Sequence, residues 1–235
     1  MATSPTIISD PEHLREAAGT AYVVLRPLGA LAERFDEIQG QVIARLGEVR
    51  ASVPVAHATM KAYGRPAAPL VDRDDNAMVR VVGEWAAATR PPRMIADACD
   101  AFDEECIPIV RLRSEPDLRP ALADLRRRSL RAGLPGGHED RYEPGEWIFH
   151  LSLAYPYDMP DDAWVALARW VRSVDVGGAS CGTTEAELLR YGGPERTLGR
   201  FPFSGDHVRR SCSILAVAIW LMPHSRSSVS KHQRA

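Results

Sequence analysis

The chain contains 235 residues, a length that allows one substantial domain or two small lobes with a buried core. Hydrophobic residues make up 45% of the sequence and charged residues 26%, as is ordinary for a soluble globular protein. The formal net charge of −2 excludes the basic field over the whole molecule that is expected of a protein binding long duplexes, so any contact with nucleic acid should be local.

The first third of the chain predicts a strand, a helix and a second strand. Residues 1–19 are polar and irregular and are predicted to form a flexible arm, in which a short helix could begin. Residues 21–25 are rich in β-formers and predict a strand. Apolar residues at helical spacing predict an amphipathic helix over 30–46, and a strand over 53–63 follows it. The apolar face of this helix comprises Leu31, Phe35, Ile38, Val42, Ile43 and Leu46.

The middle of the chain predicts two further helices around a pair of strands. Apolar periodicity predicts helices over 72–89 and 116–133, and β-rich runs between them predict strands over 94–102 and 107–112. The second helix carries an arginine run at 126–128, which we interpret as a solvated face rather than an RNA-binding patch. The apolar face of this helix comprises Leu118, Leu122, Leu125 and Leu130.

The last third of the chain completes the predicted domain and then changes character. A strand is predicted over 147–155, a helix over 160–171 and a further strand over 185–191. The composition breaks after residue 205, so 206–235 is predicted to be a C-terminal appendage to a domain that spans 20–205.

The order of these elements repeats along the chain. A strand, a helix and a second strand occur over 21–63 and again over 107–155, and each set is followed by another helix and another strand. We interpret this order as a degenerate internal duplication. It predicts an α+β fold of two pseudo-symmetric lobes, in which helices flank the sheets and a cleft lies between the lobes.

The sequence also bears on where the protein resides. None of the four cysteines belongs to a C-x-x-C pair, which argues against a zinc knuckle and favours a reduced, cytoplasmic protein. Residues 1–10 lack a basic segment followed by an apolar run, so we expect no signal peptide. The apolar run over 213–222 is too short to span a bilayer, so we expect no membrane segment.

Two short motifs in equivalent places carry the candidate chemistry. His57-Ala58-Thr59-Met60 and His150-Leu151-Ser152-Leu153 each read histidine, apolar, hydroxyl, apolar. Because successive side chains of a strand point to opposite faces, each histidine should share a face with its own hydroxyl residue, Thr59 or Ser152. The two copies predict a duplicated half-site in which two imidazoles and two hydroxyls converge on one small substrate.

The paired H-x-[ST]-x motifs resemble those of the 2H phosphoesterase superfamily, in particular its 2′-5′ RNA ligase and RNA 2′,3′-cyclic phosphodiesterase group. The resemblance covers roughly residues 20–205. It implies antiparallel sheets, cyclic phosphodiesterase activity without a cofactor, and an RNA 3′ end or a small cyclic nucleotide as substrate. It also implies that His57 is the general acid and His150 the general base, roles that the spacing alone does not assign.

Hydrolysis of a 2′,3′-cyclic phosphate suits these residue types. Water must lose a proton and the departing ribose oxygen must gain one, and a neutral and a protonated imidazole can do both near neutral pH. The hydroxyls of Thr59 and Ser152 can donate hydrogen bonds to the phosphoryl oxygens as negative charge develops there. The remaining histidines form neither an H-x-x-x-H nor an H-E-x-x-H motif, so we expect no metal.

The sequence departs from the usual pattern of bacterial members of that superfamily at two positions. Those members often carry an aromatic residue five positions after the first histidine, where this chain has Ala62, and an arginine five positions after the second, where it has Tyr155. We therefore consider Lys61, Tyr63 and Tyr155 as substrate-binding candidates. Strand alternation places Lys61 and Tyr63 on the face of His57, whereas Tyr155 falls on the opposite face unless the following proline bends the strand. A core or rim position is the alternative for each tyrosine.

Three functions stay open on the sequence. The first is a metal-independent cyclic phosphodiesterase acting on RNA ends or on a small cyclic nucleotide. The second, in the same fold, is a hydrolase or ligase of 2′-5′ phosphodiester bonds. The third is a non-catalytic module that holds an RNA end, although such a module needs no general acid–base pair. For each of these we expect a monomer.

Overall fold

The structure of the protein is a computed structural model that describes residues 11–64, 70, 73–192 and 195–204. Helices and strands follow one another in the predicted order, and the α+β class is confirmed. The helices are α1 (Pro11–Glu16), α2 (Gly29–Leu46), α3 (Arg73–Ala88), α4 (Arg119–Arg131) and α5 (Asp161–Arg172), with a short 3₁₀ turn at His138–Arg141. The strands are β1 (Thr20–Leu25), β2 (Ala51–Ser52), β3 (Ala58–Tyr63), β4 (Arg93–Phe102), β5 (Ile107–Glu115), β6 (His150–Ser152), β7 (Tyr155–Pro156), β8 (Ser180–Gly182), β9 (Glu185–Tyr191) and β10 (Glu195–Pro202).

The longer strands form two four-stranded sheets in which neighbouring strands are antiparallel. The first sheet has the order β10-β9-β1-β3 and the second the order β6-β5-β4-β8. The two motif strands, β3 and β6, therefore lie at equivalent edges of the two sheets, and these two edges contact each other. The short strands β2 and β7 pair with each other and link the segment before the first motif to the segment after the second.

The two lobes are intertwined rather than successive along the chain. Strand β9, near the end of the chain, pairs with β1, whereas β4 from the first half pairs with β5. The helices cross over too: α2 packs against β4, β8 and α5, while α4 packs against α3 and β3. The first half of the sequence therefore supplies β4 and α2 to the second lobe, and the second half supplies β9, β10 and α4 to the first.

The core lies between the helices and the sheet faces that they cover. Five residues of α2 are buried at helical spacing: Leu31, Phe35, Ile38, Val42 and Leu46. Ile43, which we predicted on the same face, is instead 41% exposed, because the neighbouring Val42 already occupies the centre of the buried stripe. Leu130 was likewise wrongly predicted as apolar-face core: it is 79% exposed at the last turn of α4.

The described residues include part of the predicted N-terminal arm and none of the predicted C-terminal appendage. Within the predicted N-terminal arm, residues 11–16 form α1, and Ala17 is buried against Val24, Leu189 and Tyr191 of the first sheet. The predicted appendage over 206–235 lies outside the described residues. Among those that are described, no helix combines the length and the apolar character needed to cross a membrane.

We expect denaturant unfolding to be a single cooperative transition, because each lobe contains elements from both halves of the chain. Trp85 lies on α3 beside the first sheet and Trp164 on α5 beside the second, so each can report on one lobe. Two variants, each retaining one of these as its sole tryptophan, should show urea midpoints by fluorescence that coincide with the far-UV circular dichroism midpoint. Two separated midpoints would contradict the intertwined arrangement.

Candidate active site

The first motif histidine is held by the backbone just before it. His57 directly precedes β3, and its Nδ1 lies 2.8 Å from the carbonyl oxygen of Val55. Since a carbonyl only accepts hydrogen bonds, Nδ1 donates and carries the proton of the neutral ring. This assignment leaves Nε2 as the nitrogen that can exchange a proton with a substrate.

The second motif repeats this arrangement. His150 begins β6, and its Nδ1 lies 2.9 Å from the carbonyl oxygen of Ile148, again two residues earlier. The ring of Phe102 meets the imidazole edge to face, with 4.9 Å between centroids and an interplanar angle of 89°. Hydrogen bond and ring contact together restrict the imidazole to one orientation. The two half-sites are thus equivalent at the level of individual hydrogen bonds.

All four motif side chains line one cleft between the two sheets. This cleft has a volume of about 610 Å³, within the usual range for small-molecule sites, and its lining includes His57, Thr59, His150 and Ser152. Ser152 is buried, whereas both histidines and Thr59 are partly exposed. The lining of this one cleft therefore offers a ligand two imidazoles and two hydroxyls.

Lys61 and Tyr63, two of the substrate-binding candidates, are not among the residues that line the cleft. The pairing of β3 with β1 shifts register between Thr59, which lies opposite Val24, and Lys61, which lies opposite Val23. Such a bulge interrupts the alternation of side chains, so the residues beyond it turn away from the face of Thr59. Strand alternation from the sequence therefore predicted the wrong face for both residues, because nothing in the sequence marks the bulge.

The bulge directs both side chains into the protein. The ammonium of Lys61 is buried and lies 2.7 Å from the Asp140 carboxylate, which is also 3.5 Å from the guanidinium of Arg126. Tyr63 is fully buried, and its hydroxyl lies 2.9 Å from that of Ser129 on α4. Neither lines the cleft, and both are structural residues: Lys61 holds the 3₁₀ turn against β3, and Tyr63 joins β3 to α4.

Tyr155, in contrast, does reach the cleft. Strand β6 ends at Ser152, and after two residues Tyr155 enters β7, which pairs with β2 instead of continuing along β5. This change of partner resets the alternation, and the Tyr155 side chain lines the cleft together with Ser152. Burial raises the pKa of the Tyr155 phenol, and its interaction with Ser152 partly opposes this effect.

Burial also governs the charge of the two histidines. Removal from water lowers the pKa of His57 to about 4, although its hydrogen bond to Val55 partly opposes this effect. Repulsion by Arg26 and His150 lowers this pKa further. The pKa of His150 is lowered as well, again mainly by burial. Both rings are therefore neutral at pH 7 in the free protein.

One side chain joins the backbones of the two motifs. Gln39 of α2 donates from Nε2 to the carbonyl oxygen of Pro54 at 2.9 Å and to that of Leu153 at 3.0 Å. The first carbonyl lies three residues before His57 and the second immediately after Ser152. A single amide group thereby ties the two half-sites together, and its place within the helix gave no sign of this role.

Further residues of the cleft were not predicted from the sequence. Tyr22 and Tyr191 of the first sheet line it, and their rings meet edge to face at 5.5 Å between centroids. Tyr142 and Trp147 form an aromatic wall on the other side, with ring centroids 6.1 Å apart. The tight turn between β4 and β5 also contributes to the rim. Nothing in the sequence pattern marked these residues, because they come together only through the packing of separate segments.

Over the described ranges, no group of three or more His, Cys, Asp or Glu side chains is arranged so that it could hold a metal ion.

Comparison with known proteins shows that solved structures share this fold. No protein-family model and no curated protein matches the chain. Among solved structures, the protein TT0787 of Thermus thermophilus matches with a TM-score of 0.57 and 17% identity, over 80% of this chain and 100% of that one. A phosphoesterase matches with a TM-score of 0.51 and 14% identity, over 78% and 97%. Escherichia coli LigT in complex with 3′-AMP matches with a TM-score of 0.50 and 14% identity, over 78% and 97%.

The chain shares the fold of these solved structures. Its own two motif strands occupy equivalent sheet edges beside one cleft. At 14 to 17% identity the similarity is one of fold, and the chemistry has to be argued from the residues of this chain.

We expect replacement of Gln39 by Leu to impair turnover more than binding. The variant loses both hydrogen bonds, so the half-sites are no longer tied, and kcat for a cyclic nucleotide should fall by about 10- to 10²-fold while KM changes little. The matched control is Gln41→Leu on the same helix. Thermal unfolding of both variants separates a loss of positioning from a loss of fold. An unchanged kcat in folded Gln39→Leu would show that the tie is dispensable.

Proposed function

We propose that this protein is a metal-independent phosphodiesterase that hydrolyses a 2′,3′-cyclic phosphate, with His57 and His150 as its general acid–base pair. One observation carries the proposal: both imidazoles donate from Nδ1 to a carbonyl two residues earlier, and both line the same cleft. The two Nε2 atoms are then available to one substrate, one to remove a proton and the other to deliver one.

The reaction follows from these positions. The neutral imidazole takes a proton from a water molecule as its oxygen attacks phosphorus, and the bond from phosphorus to one ribose oxygen breaks. The protonated imidazole gives its proton to that departing oxygen. The family resemblance assigns the acid to His57 and the base to His150. The low pKa of His57 suits the acid role, because a buried imidazolium is a strong proton donor once the charge of the bound phosphate has favoured its protonation.

The hydroxyls of Thr59 and Ser152 stabilise negative charge on the phosphate and transfer no protons. Thr59 and Ser152 lie in the cleft beside the two histidines and can donate hydrogen bonds to the non-bridging phosphoryl oxygens. Removal of such a donor typically costs about 10²- to 10³-fold in kcat.

Two observations favour this function over a non-catalytic module that holds RNA ends. Both half-sites retain an imidazole, and each imidazole is fixed by its own carbonyl, which simple binding does not require. Escherichia coli LigT, a protein with a similar fold, has been solved in complex with 3′-AMP, which supports a nucleotide as the ligand of this cleft.

The first test is replacement of the histidines. His57→Ala and His150→Ala should each lower kcat/KM for a 2′,3′-cyclic nucleotide by at least about 10²-fold, since each removes one proton-transfer partner. The double variant should fall far short of the product of the two losses, because the pair acts as a unit. Activity of the unaltered protein should survive exhaustive treatment with EDTA.

The controls for this test are Thr59→Ala and Ser152→Ala. Both should lower kcat without changing the shape of its pH profile, because the hydroxyls move no protons. Near-normal rates in either histidine variant would remove the proposed mechanism. Loss of activity in EDTA with recovery in Mn²⁺ or Zn²⁺ would reassign the histidines as metal ligands.

The second test concerns pH. Both imidazoles have pKa values below the usual 6.5 in the free protein, so the form with one proton shared between them declines as the pH rises past 6.5. The ratio kcat/KM, which reports the free enzyme, should therefore fall above about pH 6.5. Bound phosphate raises the pKa of the imidazoles, so the alkaline limb of kcat should lie at higher pH than that of kcat/KM. A kcat/KM value that rises to a plateau above about pH 7 would contradict this assignment.

A further inference from the structure

We propose, on the basis of the function proposed above, that the cleft selects a small cyclic phosphodiester carrying a single negative charge and disfavours the end of an RNA strand. The proposal comes from the charges that line the cleft and from its aromatic wall. The motif residues could act equally on a small cyclic nucleotide and on an RNA end, so the choice between them depends on the rest of the cleft.

The rim of the cleft is acidic. The turn between β4 and β5 contributes Asp103, Glu104 and Glu105, and the segment before β6 contributes Glu146, all of them exposed. Within the described chain, Arg141 is the one lysine or arginine of the cleft lining. The histidines add no positive charge at pH 7, because burial lowers the pKa of both.

Ion pairing compensates only part of this charge. The carboxylate of Asp103 lies 2.6 Å from the guanidinium of Arg172, which neutralises it. Among the described residues, Glu104 and Glu105 form no ion pair, so two carboxylates at the tip of the turn face solvent at the mouth of the cleft. At physiological salt such charges act over about 8 Å, which exceeds the spacing of adjacent phosphates along a strand.

The cationic side chains lie elsewhere on the described surface. A groove between α3 and α4 is lined by Arg80, Arg127, Arg128 and Arg131, together with Glu84 and Asp124. The covering helices separate this groove from the cleft, which lies on the other face of the first sheet. A strand whose end sat in the cleft would therefore pass a rim on which carboxylates outnumber the single lining arginine, Arg141, in contrast to the basic grooves that track single strands.

The interior of the cleft nevertheless suits one nucleoside. Tyr142 is 39% exposed, and its hydroxyl accepts a hydrogen bond of 2.7 Å from Arg141, whose guanidinium carbon also lies over the ring, 4.8 Å from its centroid. Arg141 therefore covers one face of the ring and orients it, and a guanidinium plane can itself stack on a base. Trp147 lies behind it and is buried. Aromatic faces of this kind stack on bases irrespective of sequence. A cleft of about 610 Å³ accommodates a base, a ribose and one phosphate.

The test compares two substrates with the same reacting group. They are adenosine 2′,3′-cyclic phosphate and an adenylate decamer that ends in the same cyclic phosphate. At about 0.02 M salt, kcat/KM should favour the mononucleotide by at least about tenfold, because the rim repels the additional phosphates. At about 0.3 M salt the ratio should shrink, since salt screens exposed charges.

A second experiment removes negative charge from the rim of the cleft. Glu104→Gln combined with Glu105→Gln should raise kcat/KM for the decamer at low salt several times more than for the mononucleotide. The matched control removes the same charge from exposed positions of α2 outside the cleft, with Glu33→Gln combined with Asp36→Asn, and should leave the ratio unchanged.

The outcomes separate this proposal from the one on which it rests. Equal or better hydrolysis of the decamer at low salt overturns the selection for a small substrate and leaves the cyclic phosphodiesterase intact. A ratio that does not respond to the loss of Glu104 and Glu105 overturns the rim as its cause. Failure to hydrolyse either substrate overturns the proposed function itself.

Discussion

The exchange of strands between the two sheets is the constraint on which the cleft depends. Strand β9 pairs with β1 in the first sheet and β4 pairs with β5 in the second, so the neighbour of each motif strand is itself flanked by a strand from the other half of the chain. The motif strands are then left at the edges, where they meet. Unpaired edges normally invite aggregation, but here the β2–β7 pair and the two hydrogen bonds from Gln39 secure the segments beside them.

The electrostatics of the site follow from the same arrangement. Partial enclosure between the two sheets desolvates the imidazoles, which lowers the pKa of both. In the proposed mechanism, substrate binding and protonation would be coupled, because the bound phosphate would stabilise the proton that its leaving oxygen needs. An acidic rim around such a site favours a ligand whose charge is small and enters the cleft completely.

The elements were predictable because they depend on local periodicity. The buried face of α2 and the positions of β1, β4 and β5 match the sequence pattern to within a few residues. The predicted side-chain directions were wrong where strand pairing interrupts the regular alternation along a strand. The bulge in β3 turned Lys61 and Tyr63 into the protein, and the change of strand partner after β6 brought Tyr155 into the cleft. A register shift or a new pairing depends on the partner strand, which the local sequence does not specify.

By itself the sequence determined the two histidine motifs, the presence of a strand at each motif and the repeat that relates them, since each is a matter of residue type and spacing, whereas the strands themselves, Ala58–Tyr63 and His150–Ser152, are shorter than predicted. Only the tertiary structure decided which strands pair, that the lobes are intertwined, and that Gln39 joins the half-sites. It alone also placed carboxylates at the rim and arginines on the far side of the first sheet. These features arise from contacts between residues far apart in the chain, and long-range pairing is chosen by the packing of the whole fold rather than by the pattern within any one segment.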